Sequence, residues 1–275
     1  MEKITTLTLQ KYKHKGRKIT ALTAYDAAFA RLMDRAGVDV VLVGDSVGMT
    51  MLGRDDTLSV TLDEMIHHGR SVAAAVERAL VIVDMPFMSF QVSAEKAVEN
   101  AGRIIKETGA HAVKLEGGKS VAPAIRAIVE AGIPVMGHVG LRPQSIHRYG
   151  GFKMQGREPE SANLIMEEAK ASEEAGAFSI VIEAVPVGLA KKITQSMNIP
   201  TIGIGAGMEC DGQILVMHDV LGLSENVKPR FAKTYANVAE TALNAFKEYI
   251  DEVRGEKFPT MEHAYTKLKL VKKSG

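Results

Sequence analysis

A single cysteine, Cys210, stands in 275 residues, and tryptophan is missing altogether. One thiol excludes an internal disulfide and any multi-cysteine metal centre, and it suits a reducing compartment. Charge of one sign is also lacking: 34 basic residues face 33 acidic ones. That balance excludes a strongly polyanionic partner such as nucleic acid. A basic excess is confined to "KYKHKGRK" near the start and "KLKLVKK" near the end, both read as solvated surface. No apolar run reaches transmembrane length, and the opening "MEKITTLTLQKYKHKG" has no signal-peptide core. A cytoplasmic protein without a membrane partner is the expectation. There is no HExxH, EF-hand or linker-like stretch either.

What is present is a repeated unit. Aliphatic runs recur at 18–24, 38–44, 79–85, 110–116, 133–139, 178–184 and 199–205, with a weaker eighth at 213–219. Near-continuous apolar runs are the mark of strands buried on both faces, as in a parallel sheet under helices. Between them lie segments of helical period, at 26–37, 93–110, 119–133 and 160–177, and a longer one follows at about 235–253. Ser93 is placed as a helix cap, and Gly37, Gly109, Gly132 and Gly176 as turns leading into the next strand. Eight such strands predict an α/β protein of the (β/α)8 TIM-barrel type, with a doubly wound open sheet as the runner-up. The connection "AGMECDGQ" is too short for a helix, so either one unit is incomplete or the eighth strand is misplaced. The expected organisation is one barrel domain over 18–258, an N-terminal extension over 1–17, and a basic polar tail over 259–275.

In such a barrel, residues just after the strands meet at one rim. Asp45, Asp84, Glu116 and Glu183 hold those positions. Lys114 faces the same way as Glu116, two residues on, and His138 lies late in the fifth strand. One acid after a strand is commonly a turn or cap residue. Four at equivalent positions would repel one another unless a cation lay between them. All-oxygen ligands favour Mg²⁺. Two readings stand open for Lys114: a Schiff base with a carbonyl substrate, or an ion pair with the acids or a substrate carboxylate. His138 is expected behind the acids rather than among the ligands. Cys210 is read as inert, and His67 and His68 as packing or capping groups. The glycine-rich "GIGAGMECDGQ" is either a set of tight rim turns or a close approach to a flat or anionic ligand. The long segment 140–160 carries four glycines and little to pack, and is read as a mobile cover.

The stretches "TAYDAAFA", "VGDSVGM", "DMPFMS", "VKLEGG", "GHVGLRPQS", "GGFKMQGR", "VIEAVP", "IGIGAG" and "DGQILVMHDVLG" resemble the ketopantoate hydroxymethyltransferase family in order and spacing. The resemblance runs from about Thr8 to Phe258. It implies a Mg²⁺-binding (β/α)8 barrel that transfers a one-carbon unit from 5,10-methylenetetrahydrofolate to 3-methyl-2-oxobutanoate, giving 2-dehydropantoate. It also implies a cytoplasmic homodecamer, a pentamer of dimers. Residue by residue, the implied metal ligands fall on Asp45 and Asp84, with Glu116 as a third acid. Ser46 and Lys114 fall among the substrate contacts, beside Asp45 and Asp84, and Glu183 takes the place of the general base. The competing readings are a Mg²⁺-dependent 2-oxoacid lyase or mutase without folate, and a barrel kept only for binding.

Overall fold

The computed structural model describes residues 2–224 and 229–265. The predicted tail over 259–275 therefore lies partly outside the described residues, as does Met1. Eight strands form: β1 (Ile19–Thr23), β2 (Val40–Val43), β3 (Leu80–Asp84), β4 (Ala112–Lys114), β5 (Val135–Gly140), β6 (Ser179–Glu183), β7 (Thr201–Ile204) and β8 (Gly212–Leu215). They pair in sequence order, all parallel, and β8 closes onto β1 to complete a barrel. The open-sheet alternative is excluded by that closure.

The helices are α1 (Thr6–His14), α2 (Ala27–Ala36), α3 (Val47–Thr50), α4 (Leu62–Ala73), α5 (Ala94–Thr108), α6 (Ala122–Glu130), α7 (Ile146–Tyr149), α8 (Pro159–Glu174), α9 (Val187–Ser196), α10 (Met217–Leu221) and α11 (Val238–Arg254). Their ends follow local chemistry. Ser93 accepts from the Lys96 N–H at the start of α5, and Thr61 and Glu64 form a capping box on α4. Gly109 ends α5 at φ 77°, a conformation that a side chain would oppose. No helix separates β7 from β8, so one unit is incomplete, as the short connection allows. The predicted eighth run also changes character part-way: 217–219 begin α10, which carries His218.

Apolar side chains divide into two clusters. One fills the wall between strands and helices, with Val41, Val83, Val113, Ile104 and Ile128 among its members. The other fills the barrel interior, where Ala21, Leu42, Ile82, Met136 and Ile202 point inward. Ile4 and Leu9 join this second cluster, so the segment before β1 plugs the N-terminal end through α1. Leu9 is fully buried, and its truncation to Ala would cost about 2–4 kcal/mol.

Acids at that end serve the chain itself. Asp34 accepts from the N–H groups of Glu77, Arg78 and Ala79. Asp39 accepts from Thr20 and from Arg78 Nη2 at 3.0 Å. Asp211 binds Lys13 Nζ at 2.8 Å and both the N–H and hydroxyl of Thr201.

Two segments depart from the simple barrel. The segment after β5 packs better than its glycines suggest. Leu141, Arg142, Gln144 and Ile146 are all buried, and exposure begins at His147. Residue counting missed this because half of the buried contact is polar. The last helix, α11, has no buried residue. Leu243, Phe246, Tyr249, Ile250 and Val253 lie exposed on it at helical spacing. Among the described residues, no helix is long and apolar enough to cross a membrane.

Candidate active site

Strand ends bring the predicted residues together at the C-terminal rim. Asp84 ends β3 and Lys114 ends β4, and the two are register partners across the sheet. Their side chains therefore meet, with Lys114 Nζ 2.9 Å from Asp84 Oδ1. The approach is close but misaligned, so this buried oxygen has an ion-pair neighbour and no hydrogen-bond donor. Asp84 Oδ2 accepts from the N–H of Asp45 at 3.1 Å. Asp45 itself follows β2 by two residues, and Gly44 before it has no room for a side chain: a Cβ there would lie 2.8 Å from Ser46 Oγ.

His138, from β5, links two more acids. Its Nδ1 lies 3.4 Å from Glu116 Oε1, and its Nε2 lies 3.2 Å from Glu183 Oε2. Gly140 at the end of β5 pairs in register with Glu183. A side chain at Gly140 would strike the Glu183 carbonyl at 2.2 Å, so the glycine lets β6 bring Glu183 to the rim.

Burial and charge set the protonation states. Asp45, Asp84, Lys114, Glu116 and His138 are each 6% exposed or less. Burial, then Glu116 and Asp84, push Asp45 up to about 8, against the pull of Lys114 and Gln144. Burial also raises Asp84, over the opposing Lys114. For Lys114 burial acts downward, yet Asp84, Glu116 and Asp45 together hold it above the usual lysine range. A lysine so protonated has no lone pair for Schiff-base attack, which supports its pairing role. Glu116 is held low despite burial, chiefly by its hydrogen bond with His138. Burial and Lys114 oppose the charge on His138, but hydrogen bonds to Glu116 and Glu183 raise it to about 9. Protonated His138 has no acceptor for Lys114 Nζ, 3.4 Å from its Nδ1, so Nδ1–H turns to Glu116.

Four carboxylates thus face two cations, Lys114 and His138. With all four ionised the difference, 4 − 2, is two negative charges, which the upward push on Asp45 opposes and one divalent cation would offset. Among the described residues, no three His, Cys, Asp or Glu side chains converge as a ready ligand set. The fit is to an ion held by few carboxylates and its own water, which is how Mg²⁺ is usually bound. Asp84 Oδ1 has the Lys114 ammonium beside it and no other donor, so coordination by the protein is left open there.

Two residues at the site escaped the sequence reading. Tyr25 follows β1, is buried, and exchanges a 2.8 Å hydrogen bond with Ser46 Oγ. Tyr25 holds a strand-end position as the acids do, but a phenol neutral at ordinary pH does not stand out there. Gln144 contacts Asp45 at 2.9 Å. It lies four residues beyond its strand and is neutral, so no periodicity marks it. The other candidates fall elsewhere. His68 Nδ1 lies 2.7 Å from the Tyr25 carbonyl oxygen, and Cys210 is buried with its thiol pushed up by burial.

The sequence profile of the ketopantoate hydroxymethyltransferase family matches residues 3–261. A 3-methyl-2-oxobutanoate hydroxymethyltransferase of Thermoanaerobacter sp. is 53% identical over 265 residues, covering 96% of this chain and 97% of that one. Its counterpart in Pelobacter propionicus is 55% identical over 264 residues, covering 96% and 98%. Solved structures of similar fold include phosphonopyruvate hydrolase in complex with oxalate and Mg²⁺, with TM-score 0.61, 15% identity, and 94% and 93% of the two chains covered. Another is 2,3-dimethylmalate lyase of the PEP mutase/isocitrate lyase superfamily, with TM-score 0.57, 16% identity, and 95% and 91% covered. At such identity these two structures speak for the fold alone. Coverage of nearly the whole chain by profile and relatives makes it a member of the ketopantoate hydroxymethyltransferase family.

Proposed function

We propose that the chain transfers a hydroxymethyl group to 3-methyl-2-oxobutanoate with the help of Mg²⁺, taking the carbon from 5,10-methylenetetrahydrofolate and giving 2-dehydropantoate. The observation that carries this reading is the buried pair Asp45 and Asp84 beside Lys114, with Asp84 Oδ1 poorly satisfied. Asp45 and Asp84 would hold the ion, with Glu116 behind them. When bound, Mg²⁺ polarises the 2-keto group and makes the C3 proton acidic.

The chain's own residues do the rest. Ser46, oriented by Tyr25, and the ammonium of Lys114 bind the substrate carboxylate. Glu183 takes the C3 proton. Its Oε2 already faces His138, which leaves Oε1 for the proton. A charged His138 beside it steadies the carboxylate between transfers. The nucleophilic C3 bonds to the folate methylene, and water completes the hydroxymethyl group as tetrahydrofolate leaves. Around the rim Met49, Met51, Phe87, Met88, Phe152 and Met154 are exposed. They offer an apolar surface suited to a flat pterin. The exposed apolar face of α11 supports self-association, with a homodecamer as the assembly proposed. Light scattering that finds a monomer at micromolar concentration would remove that part of the reading.

The decisive assay combines protein, Mg²⁺, 3-methyl-2-oxobutanoate and methylenetetrahydrofolate, and follows 2-dehydropantoate. No product above a metal-free control would sink the proposal. Cleavage of 2-oxoacids independent of folate would favour a lyase instead. For the base, Glu183→Gln is expected to slow exchange of the C3 proton into deuterated water by about 10²–10⁴-fold. Exchange at the parent rate would remove Glu183 from that role.

A further inference from the structure

Gln144 lies in the short turn Pro143–Ser145, outside every strand, yet it is buried. Its side-chain Nε2 donates to Asp45 Oδ2 at 2.9 Å and to the Met85 carbonyl at 2.9 Å. Its Oε1 accepts from Gln91 Nε2 at 3.1 Å. Its main-chain N–H donates to Glu116 Oε2 at 3.0 Å. One amide hydrogen meets the Met85 carbonyl, which can never donate, and Oε1 meets the Gln91 amide N–H. The amide therefore has one workable orientation. One residue thus joins the ends of β2, β3 and β4 to the segment that follows β5.

The consequence for the two carboxylates is geometric. Asp45 Oδ2 and Glu116 Oε2 are each occupied by a neutral donor on the same residue. Asp45 Oδ1 and Glu116 Oε1 are left to face elsewhere, Oε1 toward His138. A lysine or arginine in place of Gln144 would neutralise the acids and compete with a cation. An amide fixes a carboxylate's rotation without cancelling its charge.

We infer that Gln144 is a positioning residue: it sets the Asp45 carboxylate to receive a divalent cation and couples the docking of residues 141–149 to that event. The inference rests on the metal reading above. It extends that reading to a residue that touches neither the substrate nor the ion. Because the link is thermodynamic, the cation should in turn steady the segment.

The test uses the full-length, chelator-stripped protein with Mg²⁺ alone as the probe. By titration calorimetry, Gln144→Met is expected to bind Mg²⁺ about 10–100-fold more weakly than the parent. The Mg²⁺ concentration for half-maximal turnover should rise by the same factor, while turnover at saturating Mg²⁺ changes little. The melting midpoint in chelator should fall modestly for the side-chain bonds lost, while the affinity loss should persist at temperatures where the variant is fully folded, which a purely structural role would not produce. Trypsin cleavage after Lys153 and Arg157, both exposed, should be slowed by Mg²⁺ in the parent and not in the variant. Should Gln144→Met fail to fold, Gln91→Ala removes the donor to Oε1, on an exposed residue whose one other side-chain bond is a long one from the Phe90 N–H. It is expected to weaken Mg²⁺ about threefold, below the range for an outer partner that contacts a ligand directly. Parent-like Mg²⁺ affinity in the variant overturns this inference alone. A parent that binds no Mg²⁺ overturns the metal reading and this inference together.

Discussion

At the N-terminal end of the barrel, Asp39 receives Thr20 and Arg78 and has both oxygens occupied. At the C-terminal end, Asp84 Oδ1 has only the poorly aligned Lys114 ammonium beside it, and Asp45 receives a single side-chain donor, Gln144. Both ends bury aspartates in the same fold. The difference lies in how far the protein spends their lone pairs. Saturated acids tie loops and helix ends together. Unsaturated acids keep capacity for something that is not protein, and they carry the electrostatic burden of doing so. Degree of satisfaction, more than burial or residue type, separates a structural acid from a functional one here.

The comparison breaks first at Asp39. Its replacement by Ala strands the half-buried Arg78 guanidinium and removes the acceptor of Thr20, and the loss of these bonds to a charged group should lower stability by about 3 kcal/mol in urea unfolding. Mg²⁺ affinity should stay at the parent value. A loss below about 1 kcal/mol, the size of an ordinary surface pair, would erase the distinction between the ends. Next in size, Asp84→Ala is expected to weaken Mg²⁺ binding beyond about 100-fold, more than the loss of an outer partner. Calorimetry returning the parent affinity would refute its role as a ligand. Smaller and opposite in sign, Asp45→Asn should raise the stability of the metal-free protein by about 1 kcal/mol, since it removes charge from an acid-rich pocket. A destabilised variant would place Asp45 with the structural acids.

The dependence on pH is the most diagnostic test. Asp45, pushed up to about 8, and His138, raised to about 9, both sit above their ordinary values of 3.8 and 6.5. A group held higher in the folded state contributes its stability fully below its unfolded value. That contribution is lost as pH climbs through the folded value. The metal-free protein should therefore melt at progressively lower temperature from about pH 6 to about pH 9. Saturating Mg²⁺ should flatten the portion due to Asp45, because a bound cation favours the carboxylate. A melting midpoint that climbs across the same range would contradict both assignments.

Much of this architecture was legible beforehand, and for a physical reason. Strands buried on both faces must be continuously apolar, so their ends stand out, and Asp45, Asp84, Glu116 and Glu183 were found by position alone. Helix stops were legible because Gly37 and Gly109 hold conformations that other residues resist. Contacts made by neutral side chains from irregular backbone stayed hidden. Gln144 reaches its acid across 99 positions of sequence, and Tyr25 meets Ser46 through a hydroxyl that carries no charge to notice. The segment after β5 misled for the same reason, since an amide and a guanidinium make up half of its buried groups. The eighth strand was blurred because "QILVMHD" remains apolar while its backbone turns from strand to helix.

The pairing of Asp84 with Lys114 reaches beyond chemistry into fidelity of assembly. β4 has only three residues, and its ladder is correspondingly short. A slip of one position would exchange Lys114 for Val113 or Leu115, both now fully buried in the apolar wall. The ammonium would then point into that wall with no counter-charge, at a penalty of several kcal/mol. The ion pair acts as a proofreading mark for strand alignment. A chain that threads its fourth strand correctly is, by the same step, a chain with its rim cation in place.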